Sequence, residues 1–194
     1  VLARLLDCQR QAIQNATKLF GEDIRYVFLA ARGTSDNAAR YAQYLWGAYN
    51  QLPIALATPS LFSLYQRPPS LKGALVGISQ SGQSPDIVSV LAEGRRQGCP
   101  TLAITNTSES PLAQAADVVI DICAGRETAV AATKTYTSEL MAIALISASL
   151  SASQEMRRVL ENVPSWASNM LRMDGELARM AERYRYMEQC VVLG

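Results

Sequence analysis

Short, nearly continuous apolar runs alternate along this chain with longer stretches of helical periodicity. That alternation restricts the fold more than any other feature. The runs lie at 26–31, 54–57, 74–79, 101–105 and 118–122. A strand that is apolar on both faces must be covered on both faces, which is the situation of a parallel sheet flanked by helices. Helical patterns at 36–49, 60–65, 85–97 and 111–115 supply that cover between successive strands. The expected fold class is therefore α/β, a three-layer sandwich around a five-stranded parallel sheet of the flavodoxin-like kind.

Beyond the fifth strand the pattern becomes purely helical. Segments 133–153, 154–170 and 175–187 read as helices, with Pro164 at a turn or kink. Segment 2–20 reads as one helix packed beside the core. The domain organisation expected is a helical lead at 1–24, an α/β domain at 25–153 and a helical linker at 154–189. Residues 190–194 then read as the first strand of a further domain, so the chain is expected to be part of something longer.

Composition excludes several chemistries. The chain has 194 residues and no histidine, so His-ligated metal sites, histidine-based nucleophile systems and histidine acid–base work are absent from it. A formal net charge of +1 offers no field that would gather nucleic acid or an acidic membrane. Cys8, Cys99, Cys123 and Cys190 show no Cys-x-x-Cys spacing, which points to reduced structural cysteines in a cytoplasmic protein and to no bound metal. The uncharged run at 140–154 is too short to span a bilayer and reads as a helix buried in protein.

In parallel sheets of this class, ligands bind outside the carboxyl ends of the strands. The loop after the first strand reads Arg32-Gly33-Thr34-Ser35-Asp36. Gly33 allows close backbone approach or positive φ, and Ser35 or Asp36 could cap the next helix. The loop after the third strand, Ser79-Gln80-Ser81-Gly82-Gln83-Ser84-Pro85, gathers hydroxyls and amides around one glycine. Ser84 stands at an expected N-cap with Pro85 at the first helical position. Hydroxyls and a helix N-terminus aimed at one place make an anion site suited to phosphate. No Gly-Lys-Ser/Thr and no Gly-x-Gly-x-x-Gly is present, so no nucleotide cofactor is expected.

The fifth strand leads into Glu127-Thr128-Ala129-Val130-Ala131-Ala132-Thr133-Lys134. Small residues there would admit a ligand close to the backbone. Glu127 and Lys134 are its charged candidates; their ordinary roles would be a solvated loop acid and an exposed first-turn lysine. The loop after the fourth strand, Thr105 to Pro111, reads as structural, with Ser110 as a cap before Pro111.

Together these loops resemble the SIS (sugar isomerase) family, in particular the isomerase half of glutamine–fructose-6-phosphate aminotransferase and stand-alone glucosamine-6-phosphate deaminase/isomerase-like relatives. The residues that carry the resemblance are Gly33-Thr34-Ser35, Ser79-Gln80-Ser81-Gly82-Gln83-Ser84, Ala103-Ile104-Thr105-Asn106 and Glu127 through Lys134. The resemblance implies that Ser79, Gln80, Ser81 and Ser84, with Gly82, bind a sugar phosphate, with Gly33, Thr34 and Ser35 nearby. The Val130-Ala131-Ala132 backbone would face the sugar. Family members commonly carry Thr at the position of Ser84 and Ser at that of Ala132.

The resemblance also implies two such domains per chain within a homodimer, and acid–base residues lying in the second domain and tail. No catalytic residue is therefore expected in this chain, Glu127 being a weak candidate only, and residues 25–153 are the SIS domain. The implied function is the sugar-phosphate-binding half of a hexosamine-phosphate isomerase, deaminase or aminotransferase. The alternative is a sugar-phosphate-sensing regulatory module, which would usually carry a basic recognition helix not seen in 1–25.

Overall fold

The computed structural model describes residues 1–21, 24–129 and 131–191. Among these, five strands form one parallel sheet: β1 (Val27–Ala31), β2 (Ile54–Leu56), β3 (Ala74–Ser79), β4 (Thr101–Thr105) and β5 (Val118–Asp121). Their order across the sheet is β2-β1-β3-β4-β5. The expected fold class is thus borne out.

Burial follows position in the sheet. Every residue of β3 and of β4 is buried, as central strands covered on both faces require. The edge strand β2 is only three residues long and none of them is fully buried. Pro53 precedes it, a residue that cannot donate to a ladder and so suits an edge.

Helices cover both faces. α4 (Ser60–Ser63), α5 (Pro85–Arg96) and α6 (Pro111–Gln114) contribute Phe62, Ile87, Leu91 and Leu112 to a core that includes Leu75 and Ala103 from the sheet. The other layer is built from α2 (Arg10–Leu19), α3 (Thr34–Asn50) and α7 (Lys134–Leu150), with α1 (Leu2–Cys8) beside α7. α7 is buried on most of its circumference, from Thr135 to Ala148, as expected for a helix without a polar face. Trp46 of α3 is fully buried, packs edge-on against Phe20, and donates from Nε1 to the Ile143 carbonyl at 3.0 Å. One turn further, Asn50 Nδ2 donates to the Ser147 carbonyl at 3.0 Å and Ser147 Oγ donates to Asn50 Oδ1 at 2.7 Å.

The lead segment differs from the single helix expected. It divides at Gln9 into α1 and α2. The side chain of Gln9 explains the break, because it accepts from Asp121 N–H at 3.2 Å and donates to Cys123 Sγ at 3.6 Å. Holding the end of β5 takes the residue out of helical geometry.

Chain contacts divide the molecule into two compact units, Val1–Glu161 and Asn162–Gly194. α8 (Gln154–Leu171) continues as a helix through Pro164 rather than turning there, at the cost of one backbone hydrogen bond. α9 (Asp174–Ala181) is followed by a short 3₁₀ turn, Glu182–Tyr184, so the last expected helix is shorter than its sequence pattern. The second unit exposes Trp166, Met170, Leu171, Met180 and Tyr186. Of the strand expected at 190–194, Cys190 and Val191 have no strand pairing, and Val192, Leu193 and Gly194 lie outside the described residues. Among the described residues no helix is long and apolar enough to cross a membrane.

Candidate functional site

β1 pairs with β2 on one side and β3 on the other. The chain therefore leaves β1 toward one edge and returns to β3 across it, which opens a crevice between the loops that follow β1 and β3. Both loops named from sequence lie at that crevice. They are tied together by an ion pair between Arg32, just past β1, and Asp86 in the first turn of α5. Hydrogen bonds from Ser63 and then from Arg32 hold the Asp86 carboxyl below its ordinary range.

The loop after β3 is fixed on its β4 side by backbone bonds. The Gln80 carbonyl accepts from Asn106 N–H at 3.0 Å, and the Gly82 carbonyl accepts from Leu112 N–H at 3.1 Å. Gly82 adopts φ +62°, a conformation open to glycine and strained for other residues.

Within the loop, Ser79 Oγ accepts from Gly82 N–H at 3.2 Å and Ser81 Oγ accepts from Gln83 N–H at 3.3 Å. A serine hydroxyl has one hydrogen to donate. Both serines here receive bonds from the backbone, so each keeps its hydrogen for another acceptor.

Ser84 stands at the N-cap of α5 with Pro85 behind it, as the sequence predicts, but its side chain makes no capping bond. Ser110 offers the contrast. It occupies the same position ahead of Pro111, is almost fully buried, and accepts from Ala113 N–H at 3.3 Å. One Ser-Pro pair is a working cap; the hydroxyl of the other makes no capping bond.

The first loop corrects an expectation. α3 starts at Thr34 with Gly33 (φ +58°) as its N-cap, so neither Ser35 nor Asp36 caps it. Asp36 instead accepts from Arg40 at 3.2 Å. Ser35 Oγ donates at 2.8 Å to Oε1 of Glu139, a side chain on α7 with 1% of its surface exposed.

Glu127 is engaged by the backbone of its own loop. Its Oε2 accepts from Thr133 N–H at 3.0 Å, Thr135 N–H at 3.2 Å and Thr135 Oγ1 at 3.0 Å. Its Oε1 accepts from Ala129 N–H at 3.4 Å. These donors, Thr133 N–H foremost and then Thr135 N–H, lower its pKa to about 2. Glu127 is thus a carboxylate cap that folds the loop onto the start of α7, and a proton acceptor this weak is ill matched to base catalysis near neutrality.

Ala131 is exposed and Ala132 half-buried on that loop, while Val130 lies outside the described residues. Lys134 begins α7 and is half-buried rather than exposed.

Sequence reasoning named Asn106 and read its loop as structural, without the contacts that make it so, and it missed Glu139. Asn106 donates from Nδ2 to the Gly125 carbonyl at 2.7 Å and accepts at Oδ1 from Ala124 N–H at 2.9 Å, clamping the exit of β5 to the end of β4. Glu139 was legible only as an isolated acid inside an apolar helix. That polarity break was a signal, but nothing local named its partner. Among the described residues no cluster of acidic or cysteine side chains could hold a metal ion.

The comparisons with known proteins agree with the fold. The chain is 32% identical over 174 residues, 89% of its length, to glutamine–fructose-6-phosphate aminotransferase (isomerizing) of Aquifex aeolicus, of which it covers 29%. The structure matches a candidate phosphosugar isomerase from Silicibacter pomeroyi with TM-score 0.87 and 34% identity, over 95% of this chain and 57% of that one. It matches the C-terminal domain of glucosamine-fructose-6-phosphate aminotransferase from Francisella tularensis with TM-score 0.79 and 25% identity, over 96% and 57%. The chain therefore spans about a third or less of the curated aminotransferase it matches and somewhat over half of these solved structures. The SIS domain model matches residues 22–149, most of the chain and all five strands, and the protein belongs to the SIS domain family.

Proposed function

We propose that this chain is the sugar-phosphate-binding half of a hexosamine-phosphate isomerase, deaminase or aminotransferase. Its phosphate site is the crevice between β1 and β3. The observation that carries the reading is the polarity of the β3–α5 loop. Ser79 and Ser81 accept from backbone N–H groups and keep their own hydrogens to donate. Ser84 adds a hydroxyl not used as a cap, at the N-terminus of α5. Donors converging on a helix N-terminus favour a phosphate dianion.

Gly33, Thr34, Ser35 and Gln80 complete the rim in this reading, and the backbone of Ala131 and Ala132 faces the sugar. The loops hold a ligand by a group remote from its reacting carbons. Such binding energy positions the carbons for proton transfer between neighbours. The resemblance assigns the catalytic acid and base to a second domain and the tail, and Glu127, engaged as a cap, fits that division. A homodimer in the cytoplasm fits the resemblance and the unpaired cysteines.

The test is a thermal-shift titration with fructose 6-phosphate, glucosamine 6-phosphate and unphosphorylated glucosamine. A ligand that binds only the folded state raises its melting temperature. Stabilisation by the two phosphorylated sugars alone is the expected result; equal stabilisation by glucosamine would sink the phosphate assignment. Turnover by a longer protein containing this chain separates an enzyme from a sensor.

A further inference from the structure

The contact between Ser35 and Glu139 joins the proposed phosphate site to the buried interior. Glu139 Oε1 lies 2.8 Å from Ser35 Oγ, while Oε2 is buried with no hydrogen-bond partner among the described residues. An ionised carboxylate with one oxygen so placed is costly, whereas a neutral acid leaves only a carbonyl oxygen there.

The two protonation states present different hydroxyls to the crevice. A carboxylate can only accept, so Ser35 must point its hydrogen inward and offer lone pairs to an incoming anion. A neutral acid can donate to Ser35 Oγ, and the serine hydrogen is then released toward the crevice.

We propose that Glu139 is a proton-linked positioning residue for the anion site: as a neutral acid it donates to Ser35 Oγ and turns the Ser35 hydroxyl hydrogen toward a bound phosphate. The proposal rests on the reading of the crevice as a phosphate site. Binding and protonation of Glu139 then favour each other, because a dianion also disfavours a carboxylate behind Ser35. Burial, opposed by the Ser35 hydrogen bond, raises the pKa of Glu139 to about 7, so both states are accessible near neutrality.

The charged and titratable side chains on elements packed against α7 are Arg4, Asp7 and Cys8 on α1 and Arg10 and Lys18 on α2, with Asp36, Arg40, Tyr41, Tyr44 and Tyr49 on α3. β4 carries none, and α7 itself also carries Lys134 and Tyr136. Burial and the Ser35 hydroxyl, rather than these groups, govern the proton affinity of Glu139.

The experiment is calorimetric titration of the 194-residue chain with fructose 6-phosphate at several pH values, for wild type, Glu139→Gln and Ser35→Ala. The ionisation of the sugar phosphate is common to all three. Its second pKa lies near 6, so its effect cancels in the comparison. Glutamine can donate to Ser35 Oγ at every pH and mimics the neutral acid.

Between about pH 6 and about pH 8 the wild type should lose up to about tenfold more affinity than Glu139→Gln, and should take up a proton on binding, seen as a buffer-dependent enthalpy. Ser35→Ala should bind more weakly and lose that excess pH dependence. Parallel pH profiles in wild type and both variants, with binding retained, would overturn the role of Glu139 alone. Absence of fructose 6-phosphate binding by wild type at every pH would overturn the phosphate site and this inference together. If Glu139→Gln does not fold, wild type against Ser35→Ala decides the question in the same way.

Discussion

Gly82 and Ser110 share one small space: a Cβ built on Gly82 would stand 2.1 Å from Ser110 Oγ and 2.5 Å from Ser110 Cβ. The β3–α5 loop and the cap of α6 are therefore packed backbone to side chain, and the left-handed φ of Gly82 is required as well. Gly82→Ala should cost about 1–2 kcal/mol from the backbone conformation and a further 1–3 kcal/mol or so from overpacking. Urea unfolding measures the loss. Gly33→Ala serves as the control: it also has positive φ, but an added Cβ meets nothing within 4 Å. It should be the milder change, and equal losses would contradict the packing argument.

The double change Ser79→Ala with Ser81→Ala should weaken fructose 6-phosphate binding without unfolding the domain. A hydrogen bond to a charged group contributes about 1.5–3 kcal/mol, so losing both should lower affinity by roughly a hundredfold or more. Calorimetric titration reads the affinity and circular dichroism the fold. Unchanged affinity in a folded variant would show that the loop is not the phosphate site.

Glu127 should stabilise the fold in proportion to its ionisation. Its pKa is depressed from 4.5 to about 2 in the folded chain, chiefly by the Thr133 and Thr135 amides. The unfolded chain therefore binds protons first, and the stabilisation is complete above the ordinary glutamate pKa and lost as pH falls through about 2. Melting temperatures of wild type and Glu127→Gln should differ near neutrality and converge in acid. A constant gap across that window would mean that the carboxylate charge is unimportant to the cap.

Glu139 should act in the opposite direction and in a different window. Its pKa is raised from 4.5 to about 7 by burial. The folded chain then holds the proton more tightly than the unfolded one, so stability declines as pH rises between those values and levels off above them. Relative to Glu139→Gln, wild type should lose stability on the order of 3 kcal/mol across that window. Chemical denaturation at a series of pH values checks the sign as well as the size.

Asn106→Ala should free the exit of β5, since both amide atoms of the side chain clamp Ala124 and Gly125. Losing these two bonds should cost about 1–3 kcal/mol. Hydrogen exchange should rise at Ala124 and in the loop that follows, with β3 and β4 protected as before. Unchanged exchange there would remove Asn106 from the site's framework.

The sequence by itself determined the elements whose cause is local. β3 and β4 occupy the residues that their apolar runs mark out, because a strand covered on both faces has an unbroken apolar interior, with Ser79, Thr101 and Thr105 standing only at its ends. Ser84-Pro85 and Ser110-Pro111 both start helices, because serine and a ring-locked φ favour that geometry whatever surrounds them. Which of the two serines makes a capping bond was decided by tertiary structure. So was the strand order that creates the crevice, and so was the break at Gln9, whose side chain is called away by β5. Ser35 and Glu139 lie 104 residues apart. Their pairing required α3 and α7 to be laid side by side on one face of the sheet. Periodicity records which face of an element is buried; it carries no record of the partner met there, and the proton on Glu139 depends on that partner and on the depth of its burial.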